Sequence, residues 1–183
     1  MKIETQCLHE GYIPGNGGAR VVPIYQSTTY KFDSTEHVKG LFDLTEEGHF
    51  YSRLSNPTVE AVEKKIAAME GGVGALMTSS GQAASFIALL NILKCGDHFV
   101  SAASIYGGTL NLFSVTMKRM GIEVTYVDGD ATEEEIQAAI KENTRALFGE
   151  TLSNPTMSVF DIEKLARIAH KNQIPLIVDN TFA

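Results

Sequence analysis

"VGALMTSSGQAASFIALLNILKCGDHFVSA", Val73 to Ala102, decides the fold. Val73 to Thr78 is a short apolar run and a strand candidate. Ser79 to Gln82 is a turn of small residues. Gly81 to Lys94 is a helix, apolar on nearly every side, and Gly96 stops it. His98 to Ala102 is a second strand. Strand, helix, strand is the signature of a parallel crossover, and the chain repeats it.

Downstream, Gly108 to Met120 reads as a helix stopped by Gly121, and Glu123 to Val127 as a strand. Thr132-Glu133-Glu134-Glu135 has capping-box spacing and opens a helix with Ile136, Ala139 and Ile140 inward. Arg145 to Gly149 is a strand, Asp161 opens a helix with Ile162, Leu165, Ala166 and Ala169 on one face, and Ile174 to Val178 is the last strand. The fold class is α/β, with a mostly parallel sheet flanked by helices. Upstream, Asn56-Pro57-Thr58 opens a helix in which Asn56 caps, Pro57 sits at a position that needs no N–H, and Glu60 pairs with Lys64. Gly71-Gly72 ends it. Residues 1–50 carry little periodicity beyond a short helix from Glu36 to Asp43 and read as an arm.

The chain has 183 residues and a net charge of −7. That acidic balance argues against a nucleic-acid partner, which needs a basic patch. No apolar run is long enough to span a membrane. The N-terminus lacks a signal-peptide core. Cys7 and Cys95 are far apart without a CxxC pair, which excludes a disulfide framework and fits a reducing, cytoplasmic setting. Cys7 and His9 gather no further ligands, so no metal site is read. His98 reads as structural, and the acidic run at Glu133 as a helix start favoured by the dipole.

In parallel sheets, ligands bind beyond the carboxyl ends of the strands. Four stretches follow strands: Ser79 to Gln82, Ser104 to Gly107, Glu150 to Asn154, and Asp179-Asn180-Thr181. The first offers free N–H groups at a helix N-terminus and suits a phosphate or carboxylate; a plain turn reads equally well. The P-loop and Rossmann patterns are both absent. Asp179 follows an apolar strand and either caps a turn or meets a cation. Tyr106, before two glycines, is a surface aromatic or a ring laid on a flat ligand. Tyr51 and Arg53 suit a phosphate, or are ordinary surface groups.

Read together, "PIYQSTTYKF", "YSRLSNPT", "SSGQAA", "IYGGTLNLF", "SNPT" and "LIVDNTF" resemble the cystathionine gamma-synthase-like pyridoxal-phosphate (PLP) enzymes of cysteine and methionine metabolism. The resemblance covers essentially the whole chain. Gln82 after Ser80-Gly81, and Leu110 to Phe113 after Tyr-Gly-Gly-Thr, favour the branch that acts on O-acetylhomoserine. The implied fold is the N-terminal part of the large domain of fold-type I, aspartate aminotransferase-like PLP enzymes. Residues 1–50 would be an arm for subunit contacts, and 51–183 the first part of the PLP-binding domain.

The resemblance implies a role for each position. Backbone N–H groups of Gly81 and Gln82 hold the cofactor phosphate, and Tyr51 and Arg53 reach it from a neighbouring subunit. Tyr106 stacks on the pyridine ring and helps to move protons. Asp179 pairs with the ring nitrogen, Asn154 sits near the phenolic oxygen, and Glu150 and Thr181 support them. The implied activity is a PLP-dependent γ-replacement in methionine biosynthesis. O-acetyl-L-homoserine and sulfide, or methanethiol, give homocysteine, or methionine, and acetate. Methionine γ-lyase or cystathionine γ-synthase or lyase activity is the alternative, and a non-catalytic fragment acting in assembly is another. A homodimer or homotetramer with shared sites is implied. The family's Schiff-base lysine lies beyond the Asp-Asn-Thr-Phe motif, and no lysine here falls at a matching position. Lys164 and Lys171 lie on a predicted helix with solvent-facing spacing. The expectation is therefore a truncated chain, inactive alone.

Overall fold

The computed structural model describes all of residues 1–183 and divides into two compact units, Met1–Met77 and Thr78–Ala183. In the first unit, α1 (Ile3–His9) lies against α3 (Pro57–Glu70), with α2 (Thr35–Phe42) between them in sequence. The Gln6 amide donates to the Ala68 carbonyl at 3.3 Å, and the Lys65 ammonium donates to the Cys7 carbonyl at 2.9 Å. The start of α3 follows its sequence signals. Asn56 Oδ1 accepts from the Thr58 N–H at 2.9 Å, and Pro57 occupies the first turn. The Asn56 amide also donates to the Tyr25 carbonyl at 2.9 Å, which fixes the extended segment before α2. Glu60 and Lys64 pair at 2.9 Å, and Gly71 ends the helix in the left-handed conformation. The helix α1 had no sequence signal: it buries no residue, and Lys2 makes no side-chain cap.

The second unit carries a four-stranded, all-parallel sheet in the order β2-β1-β3-β4. Its strands are β1 (His98–Ala102), β2 (Glu123–Val127), β3 (Thr144–Glu150) and β4 (Leu176–Asp179). The helices are α4 (Gly81–Leu90), α5 (Gly107–Asn111), α6 (Glu133–Ala139) and α7 (Ile162–Lys171). The chain continues from α5 as a π-helical segment over Leu112–Met117. Strand residues alternate between two cores. Phe99, Ala146 and Phe148 meet Leu89 of α4 and Phe113 and Met117 of the π segment. Val100 and Leu147 meet Ile136 of α6 and Leu165, Ile168 and Ala169 of α7. On the first face, Phe113 stands edge-on to both Phe99 and Phe148, each at 4.9 Å between ring centres. Helices thus cover both faces, as an all-parallel sheet requires.

Three local features follow from the sequence. Thr132 and Glu135 form the reciprocal capping box that opens α6. Gly96 and Gly121 both adopt positive φ at turns before strands. His98 is fully buried, with Nδ1 2.7 Å from the Thr144 hydroxyl and Nε2 2.8 Å from the Thr125 hydroxyl. Thr144 Oγ1 also accepts the Lys141 N–H at 2.7 Å. His98 therefore ties β2, β1 and β3 together at their starts.

The strand expected at Val73 to Thr78 is not formed. A strand exists through its ladder, and this stretch has no pairing partner. Val73 is fully exposed, Leu76 is exposed, and the Met77 N–H donates instead to Glu63 of α3 at 2.8 Å. The helix expected to run to Lys94 ends at Leu90, and Asp97 Oδ2 closes the following turn by accepting the Lys94 N–H.

Candidate functional site

The strand order places the crossover between β1 and β3. From β1 the chain moves outward to β2, and it returns past β1 to form β3. Ligands of open α/β sheets sit outside the strand ends at such a reversal. A cavity of about 330 Å³ lies there, within the about 300–1,000 Å³ range of cofactor and ligand pockets. It is lined by Gly81 and Gln82 of α4, Tyr106, Glu150, Asn154, Asp179 and Thr181, with Ser80, Thr109, Leu152 and Phe182 completing the wall. Seven of the nine residues read as site residues thus share one cavity. Tyr51 and Arg53 belong to the first unit, where the Arg53 guanidinium lies 5.1 Å from the centre of the Tyr51 ring. Tyr51 is held by an antiparallel bridge to Thr29.

At the α4 wall, Ser80 is the N-cap and its hydroxyl accepts the Ala83 N–H at 3.1 Å. The Ala84 N–H bonds the Ser80 carbonyl. The N–H groups of Gly81 and Gln82 remain, at the positive end of the helix, for an anion. A Cβ on Gly81 would meet nothing, so the cradle is open.

Glu150 ends β3 and Asp179 ends β4; the two are register partners on neighbouring strands. Glu150 is only 6% exposed, and both of its oxygens are engaged. Oε1 accepts the Tyr106 N–H at 2.7 Å, and Oε2 accepts the Asn154 N–H at 3.3 Å. One carboxylate therefore joins the turn after β1 to the loop after β3. Tyr106 itself is half exposed, with its ring at the cavity wall. The loop carrying Asn154 is closed by the Leu152–Val159 bridge and by hydroxyl contacts among Ser104, Ser153, Thr156 and Ser158.

Asp179 Oδ1 accepts the Thr181 N–H at 3.1 Å and the Thr181 hydroxyl. This is the turn-capping role read as the plain alternative. It engages one oxygen and leaves Oδ2 for a cation, so the two readings of Asp179 are compatible. The cavity's charged side chains are both carboxylates, and Glu150 is already satisfied by backbone donors. The donor set thus fits a flat ring with a cationic nitrogen near Asp179 and an anionic tail at α4.

Thr109 and Leu152 were not read from the sequence. Thr109 is buried, and its hydroxyl donates to Gln82 Oε1 at 3.4 Å. Its position within the "YGGT" motif was the available signal. No three His, Cys, Asp or Glu side chains gather as a metal site would need, and no helix is long and apolar enough to cross a membrane.

Comparison with known proteins places the chain in one enzyme family. The family model described as "Cys/Met metabolism PLP-dependent enzyme" matches residues 4–183. The chain is 50% identical over 182 residues to the O-acetyl-L-homoserine sulfhydrylase of Corynebacterium glutamicum, covering 99% of this chain and 42% of that protein. It is 48% identical to O-acetyl-L-homoserine sulfhydrylase 1 of Thermus thermophilus, covering all of this chain and 44% of that one. Among solved structures it matches one described as an O-acetylhomoserine (thiol)-lyase from Campylobacter jejuni with a pyridoxyl-lysine monophosphate. The TM-score is 0.94 at 41% identity, covering 99% of this chain and 44% of that one. A cystathionine gamma-lyase from Lactobacillus plantarum complexed with L-serine matches at TM-score 0.88 and 34% identity, covering all of this chain and 45% of that one. The chain thus spans less than half the length of these relatives.

Proposed function

The chain belongs to the Cys/Met metabolism PLP-dependent enzymes, and from that premise we propose that it forms the cofactor-binding part of an O-acetylhomoserine sulfhydrylase. The reaction is a γ-replacement. The Cγ–O bond of O-acetyl-L-homoserine breaks, acetate leaves, and sulfide or methanethiol forms the new C–S bond, giving homocysteine or methionine. The observation that carries the reading is the convergence on one cavity of the free N–H pair of α4, the Tyr106 ring and the open oxygen of Asp179.

When bound, PLP supplies an electron sink that makes the Cα proton of an amino acid acidic. The residues of this chain bind and orient it. Gly81 and Gln82 donate their N–H groups to the phosphate. Asp179 Oδ2 holds the proton on the ring nitrogen, while Thr181 fixes the carboxylate through Oδ1. Tyr106 covers a ring face, and its hydroxyl gives or takes protons at the substrate. Asn154 faces the phenolic oxygen. Tyr51 and Arg53 serve the phosphate of a neighbouring subunit, in a homodimer or homotetramer. Residues 1–50 act as the arm for those contacts, and 51–183 as the first part of the PLP-binding domain. The setting is the cytoplasm.

The test is titration of the chain with PLP, followed by absorbance. Saturable binding that weakens in Asp179→Ala supports the reading, and its absence in the wild type refutes it. Intact mass after borohydride reduction shows whether a lysine of the protein is attached. With O-acetylhomoserine and sulfide, homocysteine reports replacement, whereas ammonia and a 2-oxo acid report elimination.

A further inference from the structure

Tyr106 stands at the N-cap position of α5, without a capping bond from its side chain, and is followed by Gly107 and Gly108. The two glycines are not equivalent. A Cβ built on Gly107 meets nothing within 4 Å. A Cβ built on Gly108 would lie 2.5 Å from Tyr106 Cε1, 3.2 Å from Tyr106 Cδ1 and 2.7 Å from Gln82 Nε2. The Tyr106 ring thus folds back over its own helix start and occupies the space that a side chain at residue 108 would take. The Gln82 amide, held by the Thr109 hydroxyl, closes the same gap from α4. Gly108 does not adopt positive φ, so alanine suits its backbone. The three atoms nearest to that Cβ all belong to the ring and the amide.

We propose that Gly108 is a positioning residue: its missing side chain sets the place of the Tyr106 ring on the cavity wall. This rests on the reading above, in which that ring covers the cofactor. The Tyr106 backbone is already fixed, because its N–H is bonded to Glu150. That bond resists any shift of the turn to accommodate a methyl group at residue 108. The Gln82 amide, at the end of a flexible chain, can swing aside. The ring must rotate about its own side-chain bonds. Carbon atoms rest at about 3.5–4.0 Å, so its edge moves by about 1 Å or more.

The experiment compares Gly108→Ala, Gly107→Ala and Tyr106→Leu, singly and with Gly108→Ala added to Tyr106→Leu, in the 183-residue chain. Three quantities are read: melting temperature, dissociation constant for PLP, and the ring-proton chemical shifts of Tyr106 in the cofactor-free protein. Gly108→Ala should melt at the wild-type temperature or above it, since alanine restricts the unfolded chain. It should shift the Tyr106 ring signals and bind PLP roughly 2- to 12-fold more weakly, the range set by loss of one aromatic contact. Gly107→Ala should match the wild type in all three. In the Tyr106→Leu background, Gly108→Ala should add no further loss of binding, because both changes act through one ring.

A Gly108→Ala protein with unmoved ring signals overturns the inference whether or not PLP binds. So does a lower melting temperature, an unchanged dissociation constant, or a loss that persists without Tyr106. If the wild type fails to bind PLP, the cofactor reading falls, while the ring signals still decide the steric claim.

Discussion

Glu150→Ala and Glu150→Gln test how the cavity is held together. Glu150 is almost fully buried and accepts two backbone N–H groups, from Tyr106, 44 residues before it, and from Asn154, four residues after it. A hydrogen bond to a charged group contributes about 1.5–3 kcal/mol, and burial keeps water from replacing it. Loss of one such bond should speed exchange of the amide hydrogen by roughly 10- to 150-fold, at 1.36 kcal/mol per factor of ten. In Glu150→Ala both amides should exchange faster by that factor. Glutamine keeps the shape but has one acceptor oxygen. That oxygen should stay with Tyr106, the shorter contact at 2.7 Å, and present its NH2 group to the Asn154 N–H. In Glu150→Gln, therefore, Asn154 exchanges faster and Tyr106 stays near the wild type. The assay is residue-resolved hydrogen exchange by NMR. Unchanged exchange at both amides in Glu150→Ala would refute the bridge. Equal acceleration at both in Glu150→Gln would refute the division between its two oxygens.

Burial, followed by the nearby positive charge of Lys141, pushes the His98 pKa below its ordinary value. The unfolded chain then takes up a proton first, so this contribution to stability is complete above about pH 6.5 and is lost as pH falls toward the folded-state value. The urea midpoint of the wild type should drop between pH 7 and pH 5.5 more than that of His98→Asn; equal drops would contradict the assignment. Thr132→Ala removes the capping box of α6 and should cost about 1 kcal/mol, read by thermal or urea unfolding. Gly149→Ala places a Cβ into the Phe160 ring and should cost about 1–3 kcal/mol by overpacking. Phe160→Ala in the same chain should remove most of that added cost.

The strand–helix rhythm was legible because each local signal agreed with the tertiary one. Asn56 and Thr132 both cap as their spacing implies. The apolar faces of α6 and α7 meet the sheet on Ile136, Leu165 and Ala169 as expected, whereas Ile162, expected on the same face, is exposed at the first turn and Ile168 is buried in the core. The Val73 to Thr78 stretch shows the limit of such reading. Strand preference describes a side chain's fit to a pleated, partnered surface, and apolar residues do not create a partner. The π-helical turn at Leu112–Met117 also left no mark, since the pattern of apolar residues there suits an α-helix as well. Phe113 and Met117 within it are both fully buried in the core.

The candidate site divides in the same way, and the division has a physical origin. Parallel strands deliver their following residues to one edge, so the stretches after β1, β3 and β4 bring Tyr106, Glu150, Asn154, Asp179 and Thr181 together, and the start of α4 adds Gly81 and Gln82 although no strand precedes it. What topology does not encode is which side chain leans on which. The bond from Tyr106 N–H to Glu150 spans 44 residues, and the gap at Gly108 depends on a ring folding back on its own turn. Both are consequences of packing at sub-ångström tolerance. A 1 Å displacement of a group aligned for reaction can cost about 100-fold in rate. The residues that line the cavity are thus readable from motif and topology. Glu150 was named from the sequence as a supporting residue, but the two N–H groups it accepts, like the gap at Gly108, become readable once the loops are seen side by side.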